Sequence, residues 1–201
     1  MTEHVYCVPA ASLPKPQGEV LPLGRELYAR LLVGGAFRPR AEAEADESWR
    51  QIIPYAAVAQ GGKVLLVERL AGGSESRLHK ELSIGLGGHI NPEDMGLENM
   101  GNARDLIEAA LNRELREELE IGAFFAEAVG LIHRSETPVE RVHTGVLYRV
   151  RSAGPVRVRE TTKLAGHMVL PEELEGLFER LEGWSQVAWR FLRETTQTAQ
   201  G

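Results

Sequence analysis

The chain has 201 residues, 43% hydrophobic and 26% charged, which is enough apolar content to bury a core and excludes disordered, collagen-like and disulfide-rich classes. Its net charge of −6 argues against polymeric nucleic acid as the main partner, because phosphate backbones are bound by clustered Lys and Arg. No apolar run approaches the roughly 18 residues of a membrane span, the start MTEHVYCVP lacks the basic head and apolar core of a signal peptide, and a cytoplasmic protein is expected.

In chain order, HVYCVP reads as a short strand. It contains the single cysteine, Cys7, which has no second thiol for an intrachain disulfide or a thiolate metal site and reads as a small strand residue. Residues 24–33 read as a short helix carrying Leu27, Leu31 and Leu32, and the acidic run AEAEADES before Trp49 as a solvated connection. IIPYAAVAQ and KVLLVERL are apolar runs joined by Gly61 and Gly62, the pattern of a hairpin, and AGGSES after them reads as a loop. Residues 83–91, SIGLGGHIN, read as a strand that ends in paired glycines.

A helix is expected from about Ala103, with Asn102 as its N-cap and Asp105 answering it. Strands are expected at 128–133, 142–150 and around 156–158. The tail 171–195 reads as helical, with Pro171 at its start and Leu174, Leu177, Phe178 and Leu181 as its apolar positions. No internal repeat is visible. Strands mixed with helices in this order predict an α/β chain with a mixed sheet covered on both faces.

The segment RELREE, residues 113–118, concentrates the chemistry. Positions three and four apart on a helix are neighbours, so Glu114 can meet both Glu117 and Glu118. Ile107, Leu111, Leu115 and Leu119 recur every four residues and form the stripe that packs on a core, with Glu114 and Glu118 beside it. Like charges at these spacings each cost a helix about 0.2 to 0.5 kcal/mol, and a divalent ion reverses the sign. Alone, such a run is more simply a solvated face. Together with Gly87 and Gly88 upstream, it offers backbone carbonyl and carboxylates without thiolates or an imidazole cluster, the donor set of a hard cation.

These residues resemble the signature of the Nudix hydrolases: a glycine, five residues, an acid, seven residues, then REUXEEXGU with U aliphatic. Gly88 matches the first glycine and Asp94 stands where the acid belongs, while Arg113, Glu114, Leu115, Glu117, Glu118 and Ile121 fill the second half. Residues 95–112 intervene where the family has seven, an insertion of about eleven, and Glu120 replaces the family glycine, with Gly122 as the candidate helix cap two positions on. Residues 51–81, RLHKE included, and Val142, His143 and Gly145 are similar to a subgroup of predicted phosphoesterases whose box is interrupted in the same way.

The resemblance implies an α/β/α sandwich with a mixed β-sheet, a single domain over 1–201 whose core is 51–201 with 1–50 as an N-terminal extension packed on it. It also implies Mg²⁺ or Mn²⁺ held by Glu114, Glu117, Glu118 and the carbonyl of Gly87. Glu114 or Glu117 would activate water, Arg113 would orient Glu114, and Gly88 would let the loop turn. The implied substrate is a small phosphorylated molecule, a nucleoside diphosphate linked to another group, and a homodimer is left open.

Arg69, Arg77, His79 and Lys80 flank the signature strand and are candidate phosphate contacts. His133, Arg134, Glu136 and Glu140 lie where many family members place an extra metal ligand or base, but a polar loop is the simpler reading here. His143 reads as a structural histidine, and Tyr148, Phe124, Phe125, Trp184 and Trp189 as core rather than base-stacking residues. Two alternatives to the hydrolase are a non-hydrolytic nucleotide sensor and, ranked last, a diphosphate isomerase, which would need a cysteine nearer the signature than Cys7.

Overall fold

The computed structural model describes residues 2–69, 81–96, 103–159, 161 and 164–198, with backbone only at 69, 103–105 and 196–198. In chain order the strands are β1 (His4–Pro9), β2 (Val20–Pro22), β3 (Ala36–Pro39), β4 (Trp49–Gln60), β5 (Lys63–Arg69), β6 (Leu82–Ser83) and β7 (Gly85–Gly87). They continue with β8 (Leu119–Ile121), β9 (Phe124–Ile132), β10 (His143–Ser152), β11 (Val156–Val158) and β12 (Leu164–Val169). The helices are α1 (Arg25–Arg30), α2 (Arg40–Ala43), α3 (Ala103–Glu118), α4 (Pro171–Gly176) and α5 (Gly183–Thr198). The chain forms two compact units, one of Met1–Tyr55, Gly87–Asn112 and Ala128–Leu147, the other of Ala56–Leu86, Arg113–Glu127 and Tyr148–Gly201.

In the first unit, β1 runs antiparallel to β3, with Tyr6 opposite Phe37, and to β4, with Cys7 opposite Gln51. Cys7 is fully buried beside Val5 and Ala43, and burial pushes its thiol up to about 11, so it behaves as a small apolar residue. The helix expected over 24–33 is the shorter α1, and the fully buried Leu31 follows it. The acidic run before Trp49 is not merely a solvated connection. Its first residues close α2, whose Ala43 is fully buried, and Asp46 organises the rest. Hydrogen bonds from the Ser48 hydroxyl and from Arg38 hold the Asp46 carboxyl down to about 2. β2 pairs with the end of β9, Val20 opposite Ile132, a contact that three residues of strand could not announce in sequence.

In the second unit, β4 and β5 form the expected hairpin, with Gln60 opposite Lys63. Gly61 and Gly62 have φ of +57° and +79°, the left-handed pair that a two-residue turn of matching twist requires and that side chains resist. β12 pairs along β5 on its other edge, and Gly166 allows the close approach: a Cβ there would lie 3.0 Å from Val67 Cγ1 and 3.2 Å from the Leu66 carbonyl on β5, and 2.7 Å from Val158 Cγ2 on β11.

The strand expected over 83–91 is interrupted, since β6 and β7 flank a bend at Ile84 and no strand continues past Gly87. The tail expected as one helix is three pieces: α4, a 3₁₀ turn at Phe178–Arg180, and α5. The break is fixed from outside the tail, where Glu182 N–H donates to the carbonyl of Leu82. Tyr148 and Trp189 are buried as expected, whereas Phe125 is 60% exposed, with Arg151 over its ring at 5.6 Å. Among the described residues no helix is long and apolar enough to cross a membrane.

Candidate metal-binding and hydrolytic site

α3 forms because Ile107, Leu111 and Leu115 recur at helical spacing, and all three are buried to within 1% exposure. Leu119, read as the end of that stripe, is fully buried but opens β8 instead. The cap expected at Gly122 is not used. The helix ends at Glu118, whose carbonyl accepts the Arg159 N–H at 2.7 Å, and Glu120 sits in extended backbone opposite Arg157 in the β8–β11 pair. A strand residue needs no glycine, which accounts physically for the loss of the family glycine at 120.

On the last turns of α3, in the second unit, Arg113 Nη1 donates to Glu114 Oε1 at 2.6 Å and to Glu117 Oε2 at 3.4 Å. The Glu114 side chain is 16% exposed and that of Glu117 58%. Glu118 Oε2 is shielded from solvent. One guanidinium nitrogen thus serves two carboxylates, with a third carboxylate at the edge of the packed face. Among the described residues no three His, Cys, Asp or Glu side chains converge as a preformed metal cluster. The donors are nonetheless all oxygens of carboxylates, which suits Mg²⁺ or Mn²⁺.

In the first unit, Gly87 ends β7 against β4: a Cβ there would lie 2.9 Å from the Pro54 carbonyl oxygen and 3.1 Å from Ile53 Cγ2, so a side chain is excluded. The His89 ring meets His143 at 5.7 Å, edge on, and burial holds the His89 imidazole down to about 3 and therefore neutral. His143 Nδ1 lies 2.8 Å from the Val139 carbonyl, which it reaches as a donor. Asp94, at the position of the first signature acid, is buried and accepts the Asn91 N–H at 2.8 Å, answering the N-cap of a 3₁₀ turn, Pro92–Asp94. Arg77, His79, Lys80, Asn102 and the side chains of Arg69 and Asp105 lie outside the described residues.

The segment read as a polar loop is one, with residues 135–139 exposed, and it is anchored by buried His133 and Glu140. Glu140 accepts Arg134 Nε at 2.6 Å and the backbone N–H groups of Glu136 and Thr137 at 3.0 Å each. Arg50 donates to the carbonyls of Arg134 and Glu140. His133 is 1% exposed, lies 2.8 Å from Thr144 Oγ1 through Nδ1, and is held down to about 4 by burial and then by the charge of Arg50. Sequence reasoning had no means to group Arg50 and Thr144 with this loop, since neither belongs to a motif.

No family model matches the sequence. Protein YmaB of Bacillus subtilis (strain 168) is 38% identical over 168 residues, which cover 80% of this chain and 80% of YmaB. The crystal structure of Tm1382, provisionally assigned as a Nudix hydrolase, is 31% identical and superposes with a TM-score of 0.80, covering 94% of this chain and 98% of Tm1382. The chain belongs to the Nudix hydrolase family. Its Nudix fold is α/β with a mixed sheet and helices, as the resemblance implied. The Nudix signature itself is split in this chain: its second half runs from the end of α3 into β8, and its first acid is the third residue of a separate 3₁₀ turn.

Proposed function

We propose that this Nudix protein is a divalent-metal-dependent hydrolase of a phosphoanhydride bond, acting in the cytoplasm on a nucleoside diphosphate linked to another moiety. Family membership supports the pyrophosphate-hydrolase chemistry. The observation that carries the assignment of residues is the Arg113 guanidinium held between Glu114 and Glu117 on α3. Glu114, Glu117 and Glu118, with the Gly87 carbonyl that the signature adds, would hold Mg²⁺ or Mn²⁺. Bound there, the ion would neutralise crowded phosphate oxygens and acidify a water.

Glu114 or Glu117 would take a proton from the attacking water, and Arg113 fixes the orientation of the Glu114 carboxylate. Arg69, Arg77 and His79 are the candidate phosphate contacts, and Gly88 is the signature glycine that would let the loop turn. These roles come from the signature and from the donor chemistry of the residues.

The test is Glu117→Gln with the wild type as reference, assayed for phosphate release with Mg²⁺ and Mn²⁺ on nucleoside triphosphates, sugar nucleotides, dinucleoside polyphosphates and ADP-ribose. Glu117 is 58% exposed, so the fold persists, and turnover falls at least about a hundredfold. Retained turnover with an unchanged metal requirement would sink the assignment. A wild type that binds nucleotides and releases no phosphate from any of them is a sensor instead.

A further inference from the structure

Within the second unit, the start of β9 and the end of β10 carry a large apolar side chain into solvent. Ala153 N–H donates to the Ala123 carbonyl at 3.0 Å, Arg151 lies over the Phe125 ring at 5.6 Å, and Arg149 meets Glu127 at 3.6 Å. Positions two apart on a strand share a face, so Ala123, Phe125 and Glu127 form one row and Ala153, Arg151 and Arg149 the row beside it. Phe125 is 60% exposed and the Arg151 side chain 61%. Ala123 and Ala153 are exposed too and are too small to shelter the ring, and together with Phe125 and Arg151 they line an open hollow of about 380 Å³.

The charges on this face complement themselves. Place a second copy opposite the first, about a twofold axis that runs along the strands between the two rows. Each row then lies over the other row of the facing copy, and every contact occurs twice, as a twofold interface requires. Phe125 meets the partner subunit's Arg151, and Glu127 meets the partner subunit's Arg149. No carboxylate faces a carboxylate and no guanidinium faces a guanidinium. An acidic peptide would satisfy the two arginines but set its charge against Glu127, so a second copy fits this pattern better. Arg149 is held for the purpose on its own chain, where its Nη2 donates to Thr195 Oγ1 at 2.6 Å.

We propose that this face is a docking surface for a second copy of the chain, with Phe125 and Arg151 at its centre and the Glu127 and Arg149 pairs fixing its register. Aromatic and arginine side chains are the ones enriched at such centres. The patch is small against the roughly 1,200 to 2,000 Å² of a stable interface, so the association is weak and depends on protein concentration.

The experiment is sedimentation equilibrium of the full chain over a range of concentrations, with a thermal melt of each variant. The wild type is expected to dimerise, and Phe125→Ser or Arg151→Ala to raise the dissociation constant by about tenfold or more while the melt stays unchanged, since both side chains are exposed. Glu127→Arg and Arg149→Glu are each expected to weaken the dimer alone. Mixed together they should restore it, because each chain then offers the charge the other lacks at both pairs. Should Arg149→Glu fail to fold, Phe125→Ser and Arg151→Ala decide. A wild type that stays monomeric up to about 1 mM, or a dimer that Phe125→Ser and Arg151→Ala leave within twofold of wild type, overturns the proposal, and so does a folded pair of charge variants that stays monomeric when mixed.

Discussion

Arg113 holds the carboxylate of its own neighbour, Glu114, at 2.6 Å. Side chains one residue apart on a helix do not face each other, so the long guanidinium arm has to fold along the helix surface to reach it. In doing so it also comes within 3.4 Å of Glu117 and offsets a repulsion that the helix would otherwise carry between its carboxylates.

Arg113→Lys tests what the fork contributes. An ammonium keeps the charge but offers no planar pair of donors, so stability should fall by no more than about 1 kcal/mol, as for other partly exposed pairs. kcat should fall by about ten- to a hundredfold, the cost of an unfixed ligand. Steady-state kinetics with a thermal melt separate the two, and an unchanged kcat would remove Arg113 from the machinery.

Glu140 is a structural carboxylate. With Arg134 Nε and two backbone N–H groups as donors and 5% exposure, it neutralises a buried guanidinium and closes the turn after His133. Glu140→Ala leaves Arg134 Nε and both N–H groups without their acceptor, while the guanidinium keeps the Glu136 carboxylate and the Gly18 carbonyl, and a loss of about 1 to 3 kcal/mol is expected from urea unfolding. A variant as stable as wild type but inactive would instead make Glu140 a functional base.

His133 gives the fold an acid-side dependence. Its folded pKa is about 4, against 6.5 for the unfolded chain, because burial and Arg50 disfavour the imidazolium. Between those values the unfolded state binds the proton and the native state does not, so stability rises with pH through this window. The contribution is complete above pH 6.5 and is lost as pH falls from 6.5 towards 4, about 3 kcal/mol at the limit. His133→Asn keeps a polar group toward Thr144 and cannot titrate. Its urea midpoint should change less steeply over that window than the wild type's, and two parallel curves would show that His133 is not responsible.

Much of the site was legible because its logic is local. The spacing of Glu114, Glu117 and Glu118 against Ile107, Leu111 and Leu115 follows from the helical repeat alone, and the start of α3 at Ala103 from the residues around it. The hairpin at Gly61 and Gly62 was legible for the same reason, since left-handed φ at two successive residues selects glycine. Glu120 marked a real departure, and its meaning appeared only when Arg159 supplied the donor that ends α3.

By itself, then, the sequence determined where the carboxylate-bearing helix and the Gly61–Gly62 hairpin form: periodicity and turn stereochemistry act over a few positions and leave their mark in residue order. Only the tertiary structure decided what supports them. Ile84 meets Ser185 and Arg50 meets Glu140 across separations of 101 and 90 residues. Such pairs form because buried polar groups must find partners wherever the fold brings them, a demand with no fixed spacing and hence no motif to read.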